Sequence, residues 1–201
     1  MQIEKGYIYH IYNQGNNKQK IFFKRENYLF FVSKIKTHIL PYGDILAWCL
    51  MPNHFHLMVL VKEIKVPVQK NSDTMTRSHR ITYRTFNDSI GIMLRTYTRA
   101  INKQKNKSGS LFKAHSKAEC VNCLNRITPS FITEDSITKI IIQNPEKQYP
   151  QICFDYIHQN PVKAGLVNNM VDWKFSSAID YANIRNGKLV NKEVARMYVK
   201  Y

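Results

Sequence analysis

Acidic residues are scarce in this chain: 14 Asp and Glu stand against 30 Lys and Arg among 201 residues, a formal net charge of +16 and an isoelectric point near 9.7. Such an imbalance says nothing about fold, but it selects a polyanionic partner, either nucleic acid or an anionic surface. Long apolar runs are missing too. No stretch approaches the roughly 18 residues of a membrane span, and the apolar run from Phe55 to Val61 is far too short. The opening MQIEKGYIYHIYNQG has neither an apolar core nor a small-residue cleavage site, so the expectation is a cytoplasmic protein without a secretory signal. Cysteine is sparse, and in that compartment Cys49, Cys120, Cys123 and Cys153 are expected to stay reduced. Cys120 and Cys123, with His115 nearby, form one Cys pair where a structural zinc site usually needs two. On a continuous strand, positions three apart also face opposite sides, which argues against a shared metal. There is no G-x-x-x-x-G-K-[ST] loop, no internal repeat and no low-complexity tract.

What is present fits one α+β domain of roughly residues 1–178 with a tail over 179–201, long enough to bury a core. Tyr7 to Asn13 alternates and is aromatic-rich, which reads as a strand, and the polar Gln14 to Lys20 around Gly15 reads as a loop. Arg25 to Leu40 places Leu29, Val32, Ile35 and Ile39 near helical spacing before Pro41. Asp44 to Met51 and His54 to Val61, joined by Pro52-Asn53, predict an antiparallel hairpin. A helix centred on Ile90, Leu94, Tyr97 and Ile101 follows, interrupted in propensity by Gly91. Ser116 to Leu124 reads as a further strand. Ser136 to Gln143 reads as a short helix within a poorly patterned stretch, and Tyr149 to Gln159 as a helix ending before Pro161. The order strand, helix, strand, strand, helix, strand is that of a ferredoxin-like antiparallel sheet with helices packed on one face.

Basic residues concentrate around the second helix. Arg77, Arg80, Arg84, Arg95, Arg99, Lys103, Lys105 and Lys107 fall between Thr74 and Lys107, where Asp88 is the one acid. Arg95, Arg99 and Lys103 make a stripe away from the apolar face. Most charge runs are solvated faces, but so lopsided a stripe reads as a surface that tracks phosphates.

His54 and His56 carry the chemistry. Residues two apart on a strand point to the same face, about 7 Å apart at their Cα atoms, a spacing that lets both imidazoles grip one divalent ion. Taken alone, a His-x-His pair is more often packing. Tyr156 and Asn160 lie four apart on the later helix and share a face, so a phenol and an amide oxygen reach one point. Two imidazoles and an amide leave coordination positions open, as in catalytic rather than structural sites. Oxygen-rich phosphate chemistry suits Mg²⁺ or Mn²⁺, and the imidazoles favour Mn²⁺. Tyr149 is a rival nucleophile on nearly the same face, Gln159 a rival amide, and His158 a packing or DNA-contact residue.

Five blocks together carry a resemblance: YHIYNQGNN at 9–17, LAWCLMPNHFHLMV at 46–59, SGSLFK at 108–113, YIHQNPVKAGLV at 156–167 and WKFSS at 173–177. In this order the chain resembles the single-tyrosine transposases of the HUH endonuclease superfamily, in the branch of REP-associated tyrosine transposases. The resemblance implies a nucleophilic Tyr156, a metal held by His54, His56 and Asn160, and single-stranded or hairpin DNA as substrate. It further implies transesterification through a 5′-phosphotyrosine link and a monomer or homodimer. Residues expected on DNA are Arg77, Arg80, Arg84, Arg95, Arg99 and Lys103, with Lys113 and Lys163 from two of the blocks. Gln14 and Ala114-His115-Ser116 depart from the family pattern, which bears on DNA sequence specificity more than on chemistry. The other readings are a non-catalytic DNA-binding protein of the same fold and an RNA-binding sheet of similar topology. HFHLMVLV lacks the aromatic pair of the latter.

Overall fold

A computed structural model of the chain describes residues 2–68, 82–123 and 145–201, with the side chains of 145–148 excepted. Strand β1 (Ile8–Gln14) leads through a short loop into helix α1 (Arg25–His38). Strands β2 (Gly43–Met51) and β3 (His54–Val61) form the expected hairpin about Pro52 and Asn53. A two-stranded ribbon, β4 (Lys65–Val68) with β5 (Thr82–Thr85), opens helix α2 (Phe86–Lys105); then come strand β6 (Lys117–Cys120) and helix α3 (Pro145–Lys163). Short helices α4 (Ala178–Tyr181) and α5 (Lys192–Arg196) close the chain.

The main sheet runs β2-β3-β1-β6, with every neighbouring pair antiparallel. Counting its strands in chain order, this is the ferredoxin-like arrangement, as expected. The two crossover helices share one face. There Ile11, Phe55, Leu57 and Val59 of the sheet meet Phe31 and Ile35 of α1 and Ile90, Met93 and Tyr97 of α2. Helix α3 covers the other face, where Ile8, Met58 and Leu60 meet Cys153, Phe154 and Ile157. A bulge between Ile45 and Ala47 slips the register by one residue, so Leu46 and Ala47 both enter this second core. Tyr181, Ala195 and Val199 join it from the C-terminal segment.

Local chemistry explains the helix limits. Thr85 caps α2 by accepting from the Asp88 N–H at 3.1 Å, while its own hydroxyl donates to the Asp88 carboxylate at 2.6 Å. Gly91 does not break α2. Helix α1 is rotated relative to the expected stripe: Tyr28, Phe31 and Ile35 are buried, and Leu29 is exposed. The run Tyr28-Leu-Phe-Phe-Val32 is apolar on both sides, and the phase that buries Tyr28 and Phe31 removes more aromatic surface from water. Helix α3 runs past Pro161 to Lys163 instead of ending before it. Pro161 forgoes one i→i−4 bond, but the helix ends two residues later and closes through Leu166 N–H to the Pro161 carbonyl, with Gly165 at φ +65°.

Strand β6 stops at Cys120, short of the expected Leu124, and the chain bends there. The bend brings Cys120 and Cys123 to a Cα separation of 5.8 Å in a disulfide, so the reduced-thiol expectation does not hold for this pair. Positions three apart face opposite sides only while the strand continues. Cys49 and Cys153 are free and buried. Ser136 to Gln143 lies outside the described residues. Among the described residues, no helix is long and apolar enough to cross a membrane.

Candidate functional site

The site forms on the second sheet face, where α3 crosses the ends of β1 and β3. Antiparallel pairing sets Tyr12 opposite His56 and Gln14 opposite His54. Alternation then points His10, Tyr12, His54 and His56 toward α3. The hairpin turn carrying His54 is clamped by the β1–α1 loop. Gly15 N–H donates to the Asn53 carbonyl at 2.8 Å, and Ile21 and Phe22 N–H groups both reach the Pro52 carbonyl. Only glycine fits at 15, because a Cβ there meets the Gln19 carbonyl oxygen at 2.2 Å.

Within this frame the hydrogen bonds of His54 are oriented. Asn53 Nδ2 donates to the Lys18 carbonyl at 3.3 Å, which turns Asn53 Oδ1 toward His54 Nδ1 at 2.6 Å. His54 Nδ1 is therefore the protonated nitrogen. On α3, Asn160 Nδ2 donates to the Tyr156 carbonyl at 3.3 Å, turning its Oδ1 toward His54 Nε2 at 3.4 Å. Two acceptors thus face each other. Only an imidazolium could donate to both amides, and burial lowers the His54 pKa, opposed by the Asn160 contact. A cation between the two lone pairs would satisfy both.

His56 is buried, and its Nε2 has no hydrogen-bond partner among the described residues. Its Nδ1 lies 2.9 Å from Nε2 of His10. Burial holds His10 down to about 3 and His56 well below the ordinary imidazole value, so both are neutral near pH 7. The Tyr156 ring, half-buried on α3, stands edge-on to His56 at 5.4 Å between centroids, and His54 to His56 is 4.9 Å. The structure thus brings His54, His56, Tyr156 and Asn160 together within one chain. Among the described residues no cluster of three or more His, Cys, Asp and Glu side chains is placed for a metal. The donor set here is smaller: two imidazoles and an amide.

The rivals go elsewhere. Tyr149 is on α3 as well, but it is buried in the second core. Gln159 reaches Met170 Sδ at 3.7 Å, and His158 is buried against Ser177 Oγ at 2.7 Å. The sequence reading missed His10, Tyr12 and Glu119, although His10 and Tyr12 alternate visibly along β1. Tyr12 donates to Glu119 at 2.6 Å, and burial with that carboxylate raises its pKa.

A cavity of about 250 Å³ opens beside the four residues, lined by Tyr12, His54, His56, Tyr156, Lys113 and His115 among others. A larger cleft of about 790 Å³ lies between α2 and residues 109–116, with Arg95, Arg99, Lys113 and His115 on its walls and, among the described residues, no acidic one. Asn13, Lys113 and His115 border both, so cleft and cavity adjoin. Lys103 and Lys163 are exposed but line neither, and Arg84 sits on β5 near His38. Arg77 and Arg80 lie outside the described residues.

No protein-family model matches the chain, and no curated protein matches it. Among solved structures it is similar to the REP-associated tyrosine transposase bound to a REP hairpin, with a TM-score of 0.56 and 17% identity over 91% of this chain and 83% of that one. At that identity the likeness is one of fold. It is the fold of the family whose sequence blocks the chain resembles.

Proposed function

We propose that this protein cleaves and rejoins single-stranded or hairpin DNA, with Tyr156 as nucleophile and His54, His56 and Asn160 as ligands of Mg²⁺ or Mn²⁺. The observation that carries the reading is the convergence of a tyrosine ring and two imidazoles on one cavity, with an amide oxygen 3.4 Å from one of those imidazoles, beside a basic cleft that no acidic residue lines among the described residues. The bound hairpin of the structural neighbour supports DNA as the partner.

In this reading Arg95, Arg99 and Lys113 hold backbone phosphates along the cleft and bring one phosphodiester to the cavity. Tyr156 Oη attacks the phosphorus, the P–O3′ bond breaks, and a 5′-phosphotyrosine forms. The phenol loses a proton and the departing 3′ oxygen gains one. One ester replaces another, so attack by a 3′-hydroxyl reverses the step without a nucleotide cofactor. The divalent ion, when bound, supplies Lewis acidity at the phosphoryl oxygen. Helix α3 holds Tyr156 and Asn160 on one face, so the nucleophile and the amide ligand keep a fixed relation.

The test is incubation with hairpin oligonucleotides and Mn²⁺, followed by denaturing electrophoresis. The expected result is a slow protein–DNA band that EDTA abolishes while DNA binding persists. DNA binding with no adduct on any substrate would assign the chain to non-catalytic DNA-binding proteins of this fold.

A further inference from the structure

We propose that His10 is a positioning residue that holds the His56 proton on Nδ1 and so presents the His56 Nε2 lone pair to the ion. The inference rests on the metal reading above and concerns a residue outside the ligand set. His10 Nε2 and His56 Nδ1 are 2.9 Å apart, and both side chains are buried. A hydrogen bond between these two ring nitrogens needs one N–H and one lone pair, which leaves two arrangements. If His10 donates, His56 must carry its proton on Nε2. An N–H on that nitrogen cannot ligate, and because the accepting ring keeps a buried N–H in either arrangement, it is the ligand role of His56 and not burial that chooses between them. If His56 donates, its Nε2 is a bare lone pair beside His54, and a cation satisfies it.

The second arrangement matches the neighbouring histidine. His54 has Nδ1 engaged by Asn53 Oδ1, leaving Nε2 toward Asn160. Both histidines then share one design, the δ nitrogen held by a polar neighbour and the ε nitrogen presented. Outer partners of this kind fix the tautomer and ring orientation of metal-ligating imidazoles. His10 is itself held in place. Its ring stacks on Tyr12 at 4.7 Å and on His56 at 5.0 Å, and Tyr12 is tied to Glu119. A three-strand relay from β6 through β1 to β3 therefore sets the orientation of one ligand.

The experiment reads histidine tautomers by long-range ¹H–¹⁵N NMR in metal-free protein and Mn²⁺ affinity by calorimetry. Wild type is expected to show His56 as the Nδ1–H tautomer. His10→Phe keeps a ring but removes the acceptor, and should lose the single tautomer and weaken Mn²⁺ binding about 10- to 100-fold. His10→Gln offers an amide oxygen in place of the imidazole acceptor and should recover most of the affinity. A His56 protonated on Nε2 in wild type that still binds Mn²⁺ overturns the role of His10 alone. So does undiminished Mn²⁺ binding by folded His10→Phe. A wild type with the Nδ1–H tautomer that binds no Mn²⁺ overturns the metal reading beneath it. If His10→Phe does not fold, the wild-type tautomer still decides.

Discussion

Asn160 makes the sharpest demand at the scale of single residues. Its amide is turned by the Tyr156 carbonyl so that oxygen, not nitrogen, faces His54. Asn160→Ala removes that oxygen from a half-buried position near the end of α3 and should cost little stability. It should weaken Mn²⁺ binding at least tenfold and slow strand cleavage in parallel, as measured by calorimetry and a gel-based nicking rate. Equal Mn²⁺ affinity in mutant and wild type would remove Asn160 from the ligand set. Tyr149→Phe is the matching control, and adduct formation should be unchanged because that ring lies in the core. The pairing of His54 with His56 and of Tyr156 with Asn160 was legible because each follows from one local period, two on a strand and four on a helix. His10 was not legible in the same way. Its proximity to His56 depends on β1 lying beside β3, a neighbourhood set by topology rather than spacing.

Elements show where patterning decides and where packing overrides it. Helix α1 offered two apolar phases, and only the aromatic content of one settles the choice. Phe31→Ala should therefore cost about 3–5 kcal/mol in denaturant unfolding, while Leu29→Ala should stay within about 0.5 kcal/mol. The reverse ranking would contradict the observed rotation of the helix. The loop from Gly15 to Ile21 was recognisable as a loop, yet its role as a clamp on the Pro52–Asn53 turn was not, since the clamp joins segments distant in sequence. Helix α2 was legible because Ile90, Tyr97 and Ile101 repeat at helical spacing and bury together. Its basic face makes a separate prediction. Arg95→Ala with Arg99→Ala should weaken single-stranded DNA binding and flatten its salt dependence by about 0.7 for each phosphate no longer neutralised. An unchanged slope would show these arginines to be solvated only.

The whole molecule is a sheet covered on both faces, and that burial has a cost at low pH. His10 and His158 are held down to about 3 by desolvation, against 6.5 for an exposed imidazole. The unfolded chain thus binds protons that the fold refuses. Their stabilising contribution is complete above about pH 6.5 and is lost as pH falls toward 3, at up to roughly 1.4 kcal/mol per pH unit for each group. The melting temperature of metal-free protein should fall steadily from pH 7 to 5. A flat profile would mean these imidazoles can protonate within the fold. The sequence order of strands and helices made the sheet legible as a whole. It did not reveal that α3 and the C-terminal segment cover the second face, because Tyr181, Ala195 and Val199 carry no strong period of their own.

The central claim is that the tyrosine ring beside the two histidines forms the covalent bond to DNA. Mass spectrometry of the trapped adduct, after protease and nuclease digestion, tests it most directly. Tyr156→Phe removes one oxygen and keeps the ring, so folding and DNA affinity should survive while the adduct disappears. In wild type the residual nucleotide mass should sit on the peptide containing Tyr156 and on that residue. A nucleotide on Tyr12 or Tyr149 instead, or an adduct that persists in Tyr156→Phe, would contradict the account.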